Sequence, residues 1–194
     1  MSAPDLILAS TSPYRRELLE RLKLPFRALA PGVDEAGIAG EAPQQRAQRL
    51  AFLKAEALAA SQPDSCVIGS DQVASCRGQI FDKPGNAERC RQQLRLLSGH
   101  QASFHTAVSV LCIARQYRVD FIDVTTVVFR ELTAAEIDRY IEIDQPFNCA
   151  GGFRCETLGV ALFEELRSAD ATGLIGLPLI QLTRALRPLG FALP

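Results

Sequence analysis

LILASTSPYRRELLERLKLPF, Leu6 to Phe26, sets how the rest of the chain is read. Leu6 to Ala9 is a short apolar run stopped by Ser10-Thr11-Ser12-Pro13, after which Leu18, Leu19 and Leu22 recur at helical spacing. This predicts strand, tight turn and helix, with Ser12 as N-cap and Pro13 at the first helical position. Arg15 and Arg16 then fall in the first turn, where the unpaired N–H groups and the macrodipole favour Asp and Glu rather than cations. Either an anion arrives at this turn and both arginines close on it, or they face water and pair with Glu17 and Glu20.

Working outward, Phe26 to Ile38 is punctuated by Pro and Gly and reads as extended or looped. Pro43 to Ala60 reads as a helix, and Cys66 to Gly69 as a second buried strand ending in Ser70-Asp71-Gln72. Val73 to Phe81 has the pattern of a small hairpin turning at Arg77-Gly78. Asn86 caps a helix to Leu97, with Gly99 as its stop. Two β-rich runs between Ala102 and Phe129, joined near Ala114–Gln116, suit an antiparallel pair. Thr133-Ala-Ala-Glu136 is a capping box opening a helix to about Ile143. Phe147 to Glu164 mixes Gly with short apolar pieces, and Leu177 to Leu186 is a last helix before Pro188. Helices alternating with strands, without internal repeats, give an α/β fold with a mixed sheet.

A chain of 194 residues with 47% apolar and 22% charged side chains is globular in character. A net charge of −1 argues against a broad surface for nucleic acid polymers. The first ten residues lack a basic region, and no stretch approaches the ~20 apolar residues of a membrane span. The expectation is a cytoplasmic protein without a membrane partner. Six cysteines, Cys66, Cys76, Cys90, Cys112, Cys149 and Cys155, form no C-x-x-C pair, so most of them read as buried thiols rather than a zinc or disulfide framework.

Lys54 falls four residues from both Leu50 and Leu58, inside the apolar stripe of the second helix. It either snorkels to water or faces an anion pocket. Asp34 and Glu35 follow Gly32 in a loop, Asp71 follows an apolar strand, and Asp82-Lys83-Pro84-Gly85 follows the hairpin. Ligands of open α/β sheets gather beyond the carboxyl ends of strands, so Asp71 and the Ser10–Arg16 turn share one crevice if their strands are parallel. Lys and Arg for phosphate oxygens, with one or two carboxylates for Mg²⁺, is the mixture a metal-bound phosphate ester needs. Neither a G-x-x-x-x-G-K-[ST] loop nor a G-x-G-x-x-G turn is present, so any phosphate cradle is of another kind, built from Ser10, Thr11, Ser12 and the first helical N–H groups.

Taken together, LILASTSPYRRELL, the VDE of Val33–Glu35, Lys54, GSDQV of Gly69–Val73, DKP of Asp82–Pro84, LSG of Leu97–Gly99, CAGGF of Cys149–Phe153 and GLPL of Gly176–Leu179 resemble the Maf family of nucleoside triphosphate pyrophosphatases. The resemblance runs in order along nearly the whole chain. It implies a single Maf-like domain over residues 1–194, with a two-lobed Maf/ITPase-like fold around a central twisted mixed sheet and an active cleft between lobes. It also implies hydrolysis of a nucleoside triphosphate to the monophosphate and pyrophosphate with a divalent cation, Mg²⁺, Mn²⁺ or Co²⁺. By motif, Asp71 is the proton acceptor, Glu35 and Asp71 hold metal, and Ser12, Arg15, Arg16, Lys54 and Lys83 grip the phosphates.

Tyr14 in the S-P-x-R-R slot, Gln72 after the aspartate and Glu156 in RCETLG resemble the YceF-like branch acting on 7-methyl-GTP. Tyr14 stands where a tryptophan is the familiar residue, which keeps a ring for stacking on a positively charged base. The carboxylate of Glu156 suits the N–H donors of a guanine edge, and Gln72 the complementary amide. The alternatives are a dTTP/UTP pyrophosphatase of the same family, and a nucleotide-binding regulator of cell division. A homodimer is compatible with the resemblance.

Overall fold

The computed structural model describes residues 2–194. Its order of elements is mixed α/β, with a seven-stranded sheet in the order β2 (Arg27–Leu29), β1 (Leu6–Ala9), β3 (Cys66–Cys76), β5 (Gln101–Cys112), β6 (Tyr117–Phe129) and β7 (Phe163–Arg167), and with β4 (Gln79–Phe81) paired to β3. By packing, the chain divides into two units. One comprises the described residues up to Asp71 with Thr106–Asp123 and Asp170–Pro194; the other comprises Gln72–His105 and Val124–Ala169. Three strands, β3 (Cys66–Cys76), β5 (Gln101–Cys112) and β6 (Tyr117–Phe129), run covalently from one unit into the other.

In the first unit, β1 (Leu6–Ala9) is buried along its whole length and pairs in parallel with β2 (Arg27–Leu29) and β3, Ile7 opposite Arg27 and Ala9 opposite Gly69. Successive strand residues point to opposite faces, and both are covered. Leu6 and Leu8 join a core with Ile68, Val108, Leu18 and Leu19 of α1 (Pro13–Glu20), and Leu182 and Leu186 of α5 (Leu179–Leu186). Ile7, Ala9 and Val67 pack with Ala55 and Ala59 of α2 (Pro43–Ala59). A strand enclosed on both sides needs no polar alternation, which is why LILA is uniformly apolar.

The approach of α2 to β3 depends on Gly69. A Cβ there would lie 2.6 Å from the Ala55 nitrogen and nearer still to the Ala51 carbonyl oxygen. Only hydrogen fits between helix and strand backbones at this level.

In the second unit, β3 turns at Arg77 and Gly78, both with positive φ, into β4 (Gln79–Phe81). The helices α3 (Ala87–Leu97) and α4 (Ala134–Asp144) pack together, with Arg91 bridging Glu88 and Asp138 at 2.6 Å each. The predicted caps are in place: the Asn86 side chain accepts from the Arg89 N–H, and the Thr133–Glu136 capping box forms. Phe104, Phe129, Phe153 and Phe163 meet edge to face at centroid distances of 5.1 to 5.3 Å. This favoured ring geometry anchors β7 (Phe163–Arg167), antiparallel to β6, through the Phe129–Phe163 pair.

The expected strands, helices and hairpin are present, with three differences. Of the stretch read as extended or looped, only Arg27–Leu29 form a strand, β2, because three residues suffice when β1 supplies the ladder. β7 begins within the mixed stretch 147–164 and runs beyond it, with Glu164–Arg167 exposed on a sheet edge. β3 does not end at Ser70-Asp71-Gln72 but continues to Cys76, since Ser70 and Asp71 are both hydrogen-bonded within the fold and need no water. All six cysteines are free, four of them buried, and burial pushes the Cys66 and Cys90 thiols up to about 12. Among the described residues no helix is long and apolar enough to cross a membrane.

Gly69→Ala is expected to force α2 away from β3, an overpacking cost of about 1–3 kcal/mol. At about 2–4 °C per kcal/mol for a chain of this size, thermal unfolding should detect it, and an unchanged Tm would mean that the helix has slack at this level.

Candidate active site

Lys54 lies where α2 meets β3, and it does not snorkel. Its Nζ donates to Asp71 Oδ1 at 2.7 Å and contacts Glu35 Oε1 at 2.8 Å. The Lys54 and Asp71 side chains are only 5% and 9% exposed, whereas Glu35 is 54% exposed. One buried cation therefore sits between a buried carboxylate and a carboxylate open to solvent. A buried ammonium without such partners would be severely penalised, so the stripe of α2 tolerates Lys54 because strand β3 and the 33–36 loop meet it with negative charge.

The loop carrying Glu35 is tied to α2. Asp34 Oδ1 accepts from the Ala36 N–H at 2.9 Å, and Arg49 donates to the Ala36 carbonyl at 3.1 Å. Arg49 also forks onto Glu41, Nε to Oε1 at 2.6 Å and Nη2 to Oε2 at 2.7 Å, and that hydrogen bonding holds the Glu41 carboxyl below its ordinary range. None of this tethering was read from the sequence.

Parallel pairing of β1 with β3 places Ser10–Ser12 and Ser70-Asp71 beyond the paired Ala9 and Gly69, as expected for strands running in the same direction. Ser10 Oγ accepts from the Ser12 N–H at 3.1 Å, and Ser12 Oγ accepts from the Arg15 N–H at 3.4 Å as the N-cap of α1. The two adjacent arginines diverge. Arg16 lies on the surface, its Nε 3.2 Å from Glu20 Oε1, the pairing named as the alternative at the sequence level. Arg15 turns inward and donates Nε to the Gly176 carbonyl at 3.0 Å. Burial lowers its pKa from the ordinary value, and the charges of Asp71 and Glu35, the same two carboxylates that hold Lys54, oppose that.

The structure thus gathers Lys54, Asp71, Glu35 and Arg15 into one electrostatic group, beside the Ser12 cap. Tyr14, half-buried, precedes Arg15 on α1. Gln72, Lys83 and Glu156 belong to the second unit. Gln72 is half-buried on β3, and Lys83 is exposed in the turn between β4 and α3. That turn is held by Gly85 N–H to the Phe147 carbonyl at 2.9 Å and by Gln93 Nε2 to the Asp82 carbonyl at 2.8 Å. Glu156 is exposed, within 3.5 Å of the Cys155 thiol. Burial and then the neighbouring Glu156 charge push that thiol up to about 12, so it stays protonated. The strand of chain around Glu156 is pinned on both sides by Asp144, which accepts from Arg154 Nη2 at 3.0 Å and from the Thr157 hydroxyl at 2.7 Å.

Two contributors went unread in the sequence. Ser70, fully buried, donates to the Gly176 carbonyl at 2.8 Å, and Gly176 offers that carbonyl from a backbone with φ of 121°, where glycine is favoured. The GLPL motif marked the place but not the role. Among the described residues no group of three or more His, Cys, Asp and Glu side chains is placed to hold a metal ion, so the first unit brings two carboxylates rather than a full cage.

Comparison with known proteins places these residues in context. The model of the Maf-like protein family matches residues 5–189. A 7-methyl-GTP pyrophosphatase of Xanthomonas axonopodis pv. citri is 51% identical over 191 residues, covering 98% of this chain and 100% of the relative. One of Bordetella pertussis is 51% identical over 187 residues, covering 96% and 93%. Among solved structures, the Staphylococcus aureus Ham1 protein aligns with a TM-score of 0.47 and 16% identity, over 66% of this chain and 72% of that one. With the family model spanning all but the extreme ends and relatives of matching length half identical to it, the chain belongs to the Maf family.

Proposed function

We propose that residues 1–194 act as one nucleoside triphosphate pyrophosphatase domain that hydrolyses 7-methyl-GTP to 7-methyl-GMP and pyrophosphate. The observation that carries this reading is the Lys54 ammonium held between Asp71 and Glu35, an arrangement that concentrates both signs of charge where α2 meets β3. The base follows from the names of the relatives that are half identical along the whole chain.

The donor set suits a hard divalent cation. Two carboxylate oxygens are what Mg²⁺ takes from a protein when substrate phosphates and water complete its shell. Glu35 and Asp71 would hold it. Bound there, such an ion neutralises charge building on the phosphoryl oxygens and lowers the pKa of water.

This chain's own residues then divide the work. Ser12, Arg15, Arg16, Lys54 and Lys83 bind the triphosphate, the cations by charge-assisted hydrogen bonds. Arrival of the anion gives Lys54 a second class of partner and frees carboxylate lone pairs from the ammonium. Asp71 orients a water and accepts its proton as the water oxygen joins phosphorus and the α–β anhydride breaks, with pyrophosphate leaving. Tyr14 stacks on the cationic methylated base, Glu156 accepts from its N–H edge, and Gln72 supplies the amide. A uracil or thymine edge would set carbonyl oxygens against that carboxylate, which disfavours pyrimidines.

Pyrophosphate release with Mg²⁺, Mn²⁺ or Co²⁺ across 7-methyl-GTP, GTP, dTTP, UTP, CTP and ITP is expected to favour 7-methyl-GTP. A preference for dTTP or UTP would overturn the base assignment, and nucleotide binding without turnover would instead support the regulator. Asp71→Asn should lower kcat roughly 10²–10⁴-fold, the range for loss of a general base, while nucleotide affinity measured by calorimetry changes little. Undiminished turnover would remove Asp71 from its role. Glu156→Gln should reduce kcat/KM for 7-methyl-GTP selectively, by about tenfold or more relative to dTTP, the scale of a lost hydrogen bond to a charged group; equal losses on all bases would show that Glu156 does not read the base.

A further inference from the structure

The segment from Asp170 to Ile180 is built around a buried carboxylate that no step above uses. Asp170 is 3% exposed. Its Oδ1 accepts from the Thr172 N–H at 2.9 Å and the Thr172 hydroxyl at 2.6 Å, and its Oδ2 accepts from the Ile180 N–H at 2.6 Å. Thr172 Oγ1 in turn accepts from the Leu179 N–H at 2.9 Å. Pro178 caps α5 without a side-chain hydrogen bond, so Asp170 and Thr172 satisfy first-turn N–H groups that the cap leaves over. The negative charge also lies at the favourable end of the α5 dipole.

The Thr172 hydroxyl also lies 2.9 Å from the Leu177 carbonyl as an alternative acceptor, and the Gly173 N–H donates to the Asp170 carbonyl at 2.9 Å, so these bonds frame the turn that carries Gly176. The Gly176 N–H reaches back to the Gly173 carbonyl at 3.0 Å, and the Gly173 carbonyl accepts from the buried Thr106 hydroxyl at 2.9 Å. The Gly176 carbonyl is thereby presented to two donors, Arg15 Nε at 3.0 Å and Ser70 Oγ at 2.8 Å. A Cβ on Gly176 would stand 3.3 Å from Arg15 Nε, so the contact is close as well as directed. A guanidinium held through Nε keeps its planar fork in one orientation, and less entropy is lost when the terminal N–H groups bind an anion.

We propose that Asp170 is a positioning residue for triphosphate binding, acting through Thr172, the Gly176 carbonyl and Arg15. The proposal rests on the reading of Arg15 as a phosphate ligand. Asp170→Asn keeps the shape but sets an amide NH₂ against one of the N–H donors, loosening the segment. The decisive measurement is a double-mutant cycle with Arg15→Ala, read as KM and kcat for 7-methyl-GTP and as affinity for inorganic triphosphate, a probe without a base.

Asp170→Asn is expected to raise KM and weaken inorganic triphosphate about tenfold while kcat falls less than about threefold, and to add less than about twofold once Arg15 is already Ala. A purely structural aspartate would lower Tm, leave KM of the folded enzyme unchanged and multiply with Arg15→Ala; that result overturns the proposal. Arg15→Ala without effect on either probe would overturn the reading of Arg15 and the proposal with it, whereas a strong Arg15→Ala effect beside a silent Asp170→Asn sinks the proposal alone. Should Asp170→Asn not fold, Thr172→Val in the same cycle carries the test, with a smaller increase in KM expected and the same non-additivity required.

Discussion

A lysine ammonium out of water, 2.7 and 2.8 Å from two carboxylates, is the interaction on which the candidate site depends. Bringing charges inside costs several kcal/mol per ion before any attraction is counted, and removing one partner of such a pair costs about 3–5 kcal/mol. The arrangement therefore contributes little to net stability. Its use is to hold charge of both signs ready for a ligand. Its geometry requires that α2 lie against β3 with no side chain between them, which Gly69 allows, and that the 33–36 loop be tied down, which Arg49 achieves.

The same economy appears beside it. One backbone carbonyl, that of Gly176, accepts from both a buried serine and an arginine, and it belongs to a segment hydrogen-bonded through Asp170 and Thr172. Backbone acceptors held by buried carboxylates are more rigid than side chains reaching from loops, so a flexible arginine gains a defined orientation from groups far away in sequence. Arg16, which lacks such an anchor, rests on Glu20 at the surface.

Much of this was legible along the chain. The apolar LILA run, the Ser12–Pro13 start of α1, the Asn86 cap and the Thr133–Glu136 box are local signals, each set by a few neighbouring residues and each found where they point. Lys54 announced itself by violating the stripe of α2. The short strands β2 and β7 did not, because neither has a periodicity of its own; β2 exists only as a partner of β1, and β7 as an edge strand beside β6. The continuation of β3 past Asp71 was also hidden, since Ser-Asp-Gln reads as a strand end unless the partners of its polar groups are known.

The sequence by itself determined the family, through motifs kept in order over nearly the whole chain, the alternation of strands and helices, and the residue types able to handle phosphate and metal. Tertiary structure alone decided which of two adjacent arginines turns inward, which carboxylates clamp Lys54, and that Ser70 and Asp170 belong to the same construction. The reason is physical: composition and spacing specify what a side chain can do, whereas the partner that desolvates, neutralises or aims it comes from residues tens to more than a hundred positions away, and only folding brings them within hydrogen-bond distance.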